Sequence, residues 1–300
     1  MTFEQLAIFV AVAEREHLTR AAEAIRLTPS AVSASIKNLE AFYGVELFHR
    51  VGRRIELTDI GRTFLVEAKA TLARVRSAEL MLSELGGLQR GKLSIYASQT
   101  IASYWLPPFL MRFHLDYPGI DLDLTIGNTR TVAEAVIEGE AELGFVEGEF
   151  DAPALSSRIV GRDALVIVVA PEHDWADGRP LSVENLVADT FWVMREEGSG
   201  TRSEFESSLA KLGRSPGELQ VALVLPSNEA VLSAVRSGRC AAAISSAAAG
   251  LYLQEGRLAK AAFDLPIRNF RLLRHKERHA SKAAATLEAM CVAPSLPSRA

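Results

Sequence analysis

The sequence predicts a mixed fold in three parts. Residues 1–58 read as a mainly α-helical winged helix-turn-helix, 59–90 as a long connecting helix, and 91–300 as an α/β unit of two lobes. Three observations carry this. Short amphipathic segments with tight joints fill the first sixty residues, no proline interrupts Thr58 to Leu85, and apolar strands alternate with helical segments from Lys92 onward. A chain of 300 residues also exceeds one average domain.

In the head, Phe3, Leu6, Phe9, Val10 and Ala13 recur at helical spacing, so 2–15 reads as the first helix. The second follows in "LTRAAEAIRL", with Thr19 as the expected N-cap and Ala21, Ala22 and Ile25 facing inward. The third begins at Thr28, a good N-cap, with Pro29 suited to the first helical position. Val32, Ile36 and Leu39 form its buried stripe, and Tyr43-Gly44 ends it. A short joint between the second and third helices, with small alanines at their crossing, is the helix-turn-helix arrangement. In such a motif the N-terminal side chains of the last helix face the DNA major groove. "ELFHR" and "IELT" around "VGRR" read as a two-stranded wing, with His49, Arg50, Arg53 and Arg54 concentrating positive charge there.

The string "LTRAAEAIRLTPSAVSASIKNLEAFYGVELFHRVGRRIELTDIG", residues 18–61, resembles the LysR-type transcriptional regulators. The paired alanines, Ser-Ala-Val-Ser, Leu-Glu, Gly-Val-x-Leu-Phe-x-Arg and Leu-Thr-x-x-Gly occur in order. The resemblance implies contact with double-stranded DNA at a pseudo-palindromic promoter site. The residues expected to make it are Thr28, Pro29, Ser30, Ser33, Ser35, Lys37, Arg50, Arg53 and Arg54. Where the family often places long polar residues after the recognition-helix serine, this chain has Ala34 and Ser35. Base readout is therefore expected to be sparse, with more left to phosphate contacts and DNA shape. Basic and acidic residues in 1–62 balance at eight each, so a DNA face depends on how the fold segregates them.

In the connecting segment, Ile60, Phe64, Ala68, Leu72, Val75, Leu82 and Leu85 recur at coiled-coil-like steps, interrupted by Glu79. A lone helix cannot bury such a stripe. Pairing with the same helix of a second chain is the simplest solution, and packing on the chain's own C-terminal unit is the alternative. "GGLQRG" (86–91) ends the helix as a linker.

From "KLSIYAS" (92–98), strands and helices alternate through "DLDLTIG", "AELGFVEG", "ALVIVVAP" (164–171), "FWVMREEGSG", "VALVLPS" and "CAAAISS". The sheet is expected to be largely parallel. The first lobe is placed at about 91–162 and 267–300 and the second at about 163–266. The resemblance implies that this unit is a periplasmic-binding-protein-like effector domain.

Ligands of open α/β sheets bind beyond the carboxyl ends of strands. Those ends nominate Ser98, Gln99, Thr100, Asn128, Glu147, Ser199, Gly200, Thr201, Arg202 and Asn228. Several are helix starts rich in small polar residues, where free N–H groups suit an anion. Two readings stay open for most of them. Ser98, Thr100 and the Gly-Ser-Gly-Thr run serve equally as helix caps, and Arg202 can pair with Glu206 four residues on. Glu147 fits a pure anion site poorly; it is expected to meet a ligand amine or hydroxyl, or an arginine such as Arg195. "REEGSGTRSEFE" also looks like the subgroup that includes regulators of sulfite reduction, cysteine metabolism and carbon fixation, which suggests a small oxyanion or phosphorylated metabolite.

Other classes fare worse. "GSGTRSE" lacks the lysine and spacing of a phosphate loop, no histidine flanks an obvious nucleophile, and no metal-ligand spacing such as HExxH occurs. No enzyme activity, cofactor or metal is expected. Cys240 and Cys291 are far apart and read as buried thiols in a reducing compartment. Net charge is −4, so no global basic field exists. The first residues lack a signal-peptide pattern, and "CAAAISSAAAG" is too short for a membrane span. A transport binding protein is thereby disfavoured, and a cytoplasmic location without membrane contact is expected. The expected partners are DNA, a small anionic effector, further copies forming a homodimer or homotetramer, and RNA polymerase. The alternative is a constitutive DNA-binding regulator whose C-terminal domain only oligomerises.

Overall fold

The computed structural model describes residues 1–51, 54–84, 91–148 and 152–292. The chain divides into two compact units, Met1–Leu85 and Gly86–Ala300.

In the first unit, α1 (Phe3–Arg15) starts at Thr2, whose hydroxyl and the Gln5 side chain cap each other's backbone N–H. α2 (Leu18–Ala24) is capped by His17, whose Nδ1 accepts from Arg20 N at 3.4 Å. Thr19, the cap expected from the sequence, lies inside the helix, because an imidazole can serve as acceptor where only hydroxyls were considered. α3 (Pro29–Tyr43) has Thr28 as N-cap and Pro29 at its first position. Ala21 and Ala22 are fully buried and let α2 approach its neighbours, with Phe9, Val12, Val32, Ile36 and Leu39 completing the core. β1 (Phe48–Val51) and β2 (Arg54–Leu57) pair antiparallel as the wing.

α4 (Asp59–Glu84) explains why the sequence strings of this head are spaced as they are. Thr58 Oγ1 accepts from Gly61 N and donates to Glu46 O, both at 2.8 Å. A Cβ at Gly61 would collide with the carbonyl oxygen of Leu47, so Leu-Thr-x-x-Gly is a close-approach requirement. The glutamate of Leu-Glu, Glu40, accepts from Leu47 N and Phe48 N at 2.8 and 3.2 Å, tying α3 to the wing. Phe64, Leu65, Ala68 and Leu72 of α4 join the core of the head, and Lys69 reaches Glu14 on α1 at 3.2 Å. Part of the expected coiled-coil stripe is therefore buried inside the head itself, a solution the sequence reading did not consider. Leu85 and most of the "GGLQRG" linker lie outside the described residues.

In the second unit, the first lobe holds β3 (Gly91–Ser98), a π-helical turn at Ile101–Trp105, α5 (Pro107–Asp116), β4 (Ile120–Gly127), α6 (Thr129–Glu138) and β5 (Leu143–Glu147). β6 (Leu155–Val169) then passes into the second lobe, pairing with β11 (Ile267–His275) over Leu155–Ala164 and with β9 (Cys240–Ser245) over Leu165–Val169. That lobe contains α7 (Val183–Ala188), β7 (Phe191–Arg195), α8 (Gly200–Lys211), β8 (Gln220–Leu225), α9 (Asn228–Ser237) and α10 (Ser246–Gln254). The short β10 (Ala259–Lys260) adds beside β6. The chain returns along β11 and ends with α11 (Lys282–Val292). The main sheet accordingly runs β4-β3-β5-β11-β6-β9-β7-β8.

The expectation of a largely parallel sheet needs correction. β3 with β4 and β5, and β7 with β8 and β9, are parallel. The centre, β5-β11-β6-β9, is antiparallel, because the two long crossing strands run in opposite directions between the lobes. β6 also starts at Leu155 rather than near Ala164; its first half is partly exposed and polar, which hid it from an apolar pattern. Leu93, Ile95, Phe113 and Phe145 centre the first core, and Trp175, Trp192 and Phe205 the second.

Candidate functional site

The two crossing strands place Arg268 of β11 directly opposite Asp163 of β6. The Arg268 side chain is fully buried and donates through Nε and Nη2 to Asp163 Oδ2 at 2.9 and 2.7 Å. Its Nη1 donates to Thr201 Oγ1 of α8 at 3.0 Å, and Nη2 stands 3.9 Å from Glu147 Oε1 at the end of β5. Asp163 also accepts from Ser245 and Ser246 hydroxyls at 3.1 and 3.4 Å. One guanidinium thus joins both crossing strands to a helix start of the second lobe and a strand end of the first. Desolvated charges persist only with such partners.

Around this junction the lobes meet along hydrogen bonds. Asn228 N donates to Gln99 Oε1 at 2.7 Å, and Asn228 Nδ2 to Thr100 Oγ1 at 3.2 Å. Asn228 Oδ1 accepts from Arg195, whose Nε also holds Glu196 at 2.8 Å. Glu229 takes Gln99 Nε2 at 2.6 Å and the Tyr104 hydroxyl at 3.0 Å. Burial and the Glu229 carboxylate push the Tyr104 hydroxyl up to about 12, so it stays protonated and donating. On the other flank Asn128 Nδ2 donates to Glu196 Oε1 at 3.3 Å, and Arg130 N to Gly198 O at 3.3 Å.

Between these seams α8 begins at the junction. Ser199 makes no side-chain cap, and the N–H groups of Gly200, Thr201 and Arg202 meet no acceptor among the described residues. Gly200 sits so close to the first lobe that a Cβ would be 2.6 Å from Thr129 Oγ1 and 2.9 Å from Glu147 Oε2. Ser98 Oγ, at the carboxyl end of β3, is buried without a hydrogen-bond partner. Uncapped helix donors and an orphaned hydroxyl are costly unless something accepts from or donates to them.

The structure brings Ser98, Gln99, Thr100, Asn128, Glu147, Ser199, Gly200, Thr201 and Asn228 to this one lobe interface. Asn128 caps α6 as well, accepting from Thr131 N at 3.1 Å. Arg202 is turned along its own helix: Nε holds Glu206 at 2.7 Å and Nη1 donates to Arg195 O at 3.3 Å. The arginine beside Glu147 is Arg268, where the sequence had suggested Arg195. Sequence reasoning missed Arg268, Asp163 and Tyr104. The available signal was a lone charge at the mouth of an apolar strand, in "GRDALVIVV" and "PIRNFRLL".

On the head, Thr28, Pro29, Ser30, Ala34 and Lys37 of α3 are exposed and Ser33 and Ser35 half-buried, opposite the buried Val32, Ile36 and Leu39. Arg53 falls outside the described residues; Arg50 and Arg54 pair with Ile55 and Val51 in the wing strands. Cys240 and Cys291 are buried free thiols, and burial with the nearby Glu288 pushes Cys291 up to about 12, away from reactive thiolate.

A winged helix-turn-helix joined to a two-lobed α/β unit with polar groups converging between its lobes defines a ligand-responsive DNA-binding regulator. Residues 3–62 match the family described as bacterial regulatory helix-turn-helix protein, lysR family, and residues 86–293 match the LysR substrate binding domain. The chain belongs to the LysR family of transcriptional regulators, which are not enzymes. It is 34% identical over 94% of its length to the regulator YeiE of Escherichia coli K12, covering 94% of that protein. It is 32% identical to the RuBisCO operon transcriptional regulator of Allochromatium vinosum, over 86% of this chain and 84% of that one. With CysL of Bacillus subtilis it shares 32% identity over 79% and 78% of the two chains. The LysR regulator CbnR in complex with its target DNA has the same fold (TM-score 0.67, 21% identity, 97% of this chain and 98% of that one). So has the Synechocystis CcmR regulatory domain in complex with 2-PG (TM-score 0.62, 23% identity, 70% and 100%).

Proposed function

We propose that this regulator senses a small anionic metabolite, a sulfur oxyanion, phosphate ester or carboxylate, between the lobes of its C-terminal unit. The observation that carries the reading is the buried, unpartnered Ser98 Oγ in the same lobe interface as the uncapped start of α8. Ser98, Thr100, Ser199, Gly200 and Thr201 supply hydroxyls and N–H groups, and Gln99, Asn128 and Asn228 orient the lobes around the ligand. The 2-PG held by CcmR supports a small metabolite as the class of effector. We assign Arg202 to holding α8 against β7 through Glu206 and the Arg195 carbonyl. The positive charge then comes from Arg195 and Arg268.

On the DNA side, Thr28, Pro29, Ser30, Ser33, Ser35 and Lys37 face the major groove of a pseudo-palindromic site, with Arg50, Arg53 and Arg54 on its backbone. The protein works in the cytoplasm as a homodimer or homotetramer that reads two half-sites and acts on RNA polymerase. Effector binding shifts the lobe arrangement and with it the spacing of the heads. The test is thermal stabilisation of the full chain by sulfur oxyanions, phosphates, sugar phosphates and small carboxylates. A shift abolished by Ser98→Ala is expected; no shift with any of them would leave a regulator whose C-terminal unit only oligomerises.

A further inference from the structure

Glu147 does not fit a site made only for an anion. Its side chain is 3% exposed, yet its carboxylate accepts no hydrogen bond from any described residue. Its charged neighbour among the described residues, Arg268, stands 3.9 Å away and spends its short hydrogen bonds on Asp163 and Thr201. An ionised carboxylate offers about four lone-pair sites and is expensive to bury without donors. The Glu147 Oε2 atom lies 2.9 Å from where a Gly200 Cβ would stand, against the first residue of α8. β3 and β5 run parallel with Ala97 beside Phe145, so Ser98 and Glu147 close neighbouring strand ends.

The charge around the cleft agrees. Arg195 pairs with Glu196 and Arg268 with Asp163, so Glu147 is left with only the 3.9 Å approach of Arg268 among the described residues. Glu147 already occupies part of the positive field at the start of α8. A ligand that is anionic on every side would meet a like charge at a buried position, where repulsion is stronger than in bulk water. A ligand that presents an acid proton, a hydroxyl or an ammonium toward Glu147 turns that repulsion into a charge-assisted hydrogen bond.

Resting on the anion-sensing reading above, we infer that the effector is an anion that itself carries a hydrogen-bond donor, and that Glu147 is the residue that demands it. Fully ionised anions without a donor are excluded, although Ser98 and the start of α8 would accept them.

The experiment compares matched probes on the full chain at pH 7 by calorimetry and thermal shift: inorganic phosphate against sulfate, and glycolate against acetate. The same series is run on Glu147→Gln, which keeps the shape and adds a donor, and on Glu147→Ala. We expect the donor-bearing member of at least one pair to bind wild type at least about tenfold more tightly, the value of one charge-assisted hydrogen bond. In Glu147→Gln that preference shrinks or inverts, with sulfate binding appearing; Glu147→Ala loses the preference and serves if the first variant does not fold. Equal binding within both pairs, or an undiminished preference in both variants, overturns the inference and leaves anion sensing intact. Failure of these four probes and of the wider anion series above to bind wild type overturns the anion reading and this inference with it.

Discussion

Replacing Arg268 by methionine removes the fully buried cation at the crossing of the lobes. Three interactions vanish: the pair of bonds to Asp163 at 2.7 and 2.9 Å, the bond to Thr201 at 3.0 Å, and the 3.9 Å approach to Glu147. Among the described residues, Asp163 then keeps the Ser245 and Ser246 hydroxyls and Glu147 keeps no charged partner. Breaking one partner of a buried pair costs about 3–5 kcal/mol, since the remaining charge stays desolvated. For a unit of this size each kcal/mol lowers Tm by about 2–4 °C, so a fall of about 6–20 °C is expected. Tryptophan fluorescence is the assay of choice, because Trp105, Trp175 and Trp192 all lie in the C-terminal unit and the head is silent. The double variant Arg268→Met with Asp163→Leu should recover part of the loss, as apolar replacement of a whole buried pair is often neutral. A fall under about 2 °C in the single variant, well below the loss expected on breaking a buried ion pair, would refute the reasoning that this pair holds the lobes.

In the head, Gly61→Ala forces a Cβ onto the Leu47 carbonyl oxygen, so about 1–3 kcal/mol or more should be lost, read as weaker DNA binding and faster proteolysis of residues 1–85. Arg50→Ala and Arg53→Ala should each weaken binding to all DNA and lower the salt slope by about 0.9; an unchanged slope removes that residue from the phosphate contacts. Arg202→Ala should leave effector affinity within about threefold, and complete loss of the response would put its guanidinium on the ligand. His173 Nδ1 accepts from Trp175 N at 3.1 Å and Nε2 lies 3.0 Å from Thr190 Oγ1, and burial lowers the imidazole below its usual range. The unfolded chain therefore takes up a proton first as pH falls through about 6.5, so the Tm of the C-terminal unit should drop below that pH and be flat above it. His173→Gln should flatten that drop, and identical pH profiles for the two proteins would exclude His173 as its source.

Local rules made the head legible. Thr28, Pro29, the paired alanines and the Val32–Ile36–Leu39 stripe are short-range signals, and each reads directly from neighbours in the chain. The start of α2 was misplaced because His17 can cap as well as a hydroxyl. The alternation of strands and helices likewise announced two α/β lobes, and strand ends nominated Ser98, Glu147, Gly200 and Asn228 before any contact was visible.

What the sequence by itself determined, then, is the set of elements and the polar residues at their ends, since caps, periods and turns act over a few residues. Only the tertiary structure decided how the sheet is wired and which charges meet. Arg268 and Asp163 lie far apart in the chain and become neighbours because β6 and β11 cross between the lobes side by side. The sequence left Arg202 open between a ligand and Glu206; folding gave it Glu206 and added the Arg195 carbonyl, a partner no local pattern announces. Glu147 stood out in the sequence as a poor fit to an anion site, and folding buried it beside a helix start with Arg268, not Arg195, as its arginine. Burial sets the cost of each charge, and burial is a property of contacts distant in sequence.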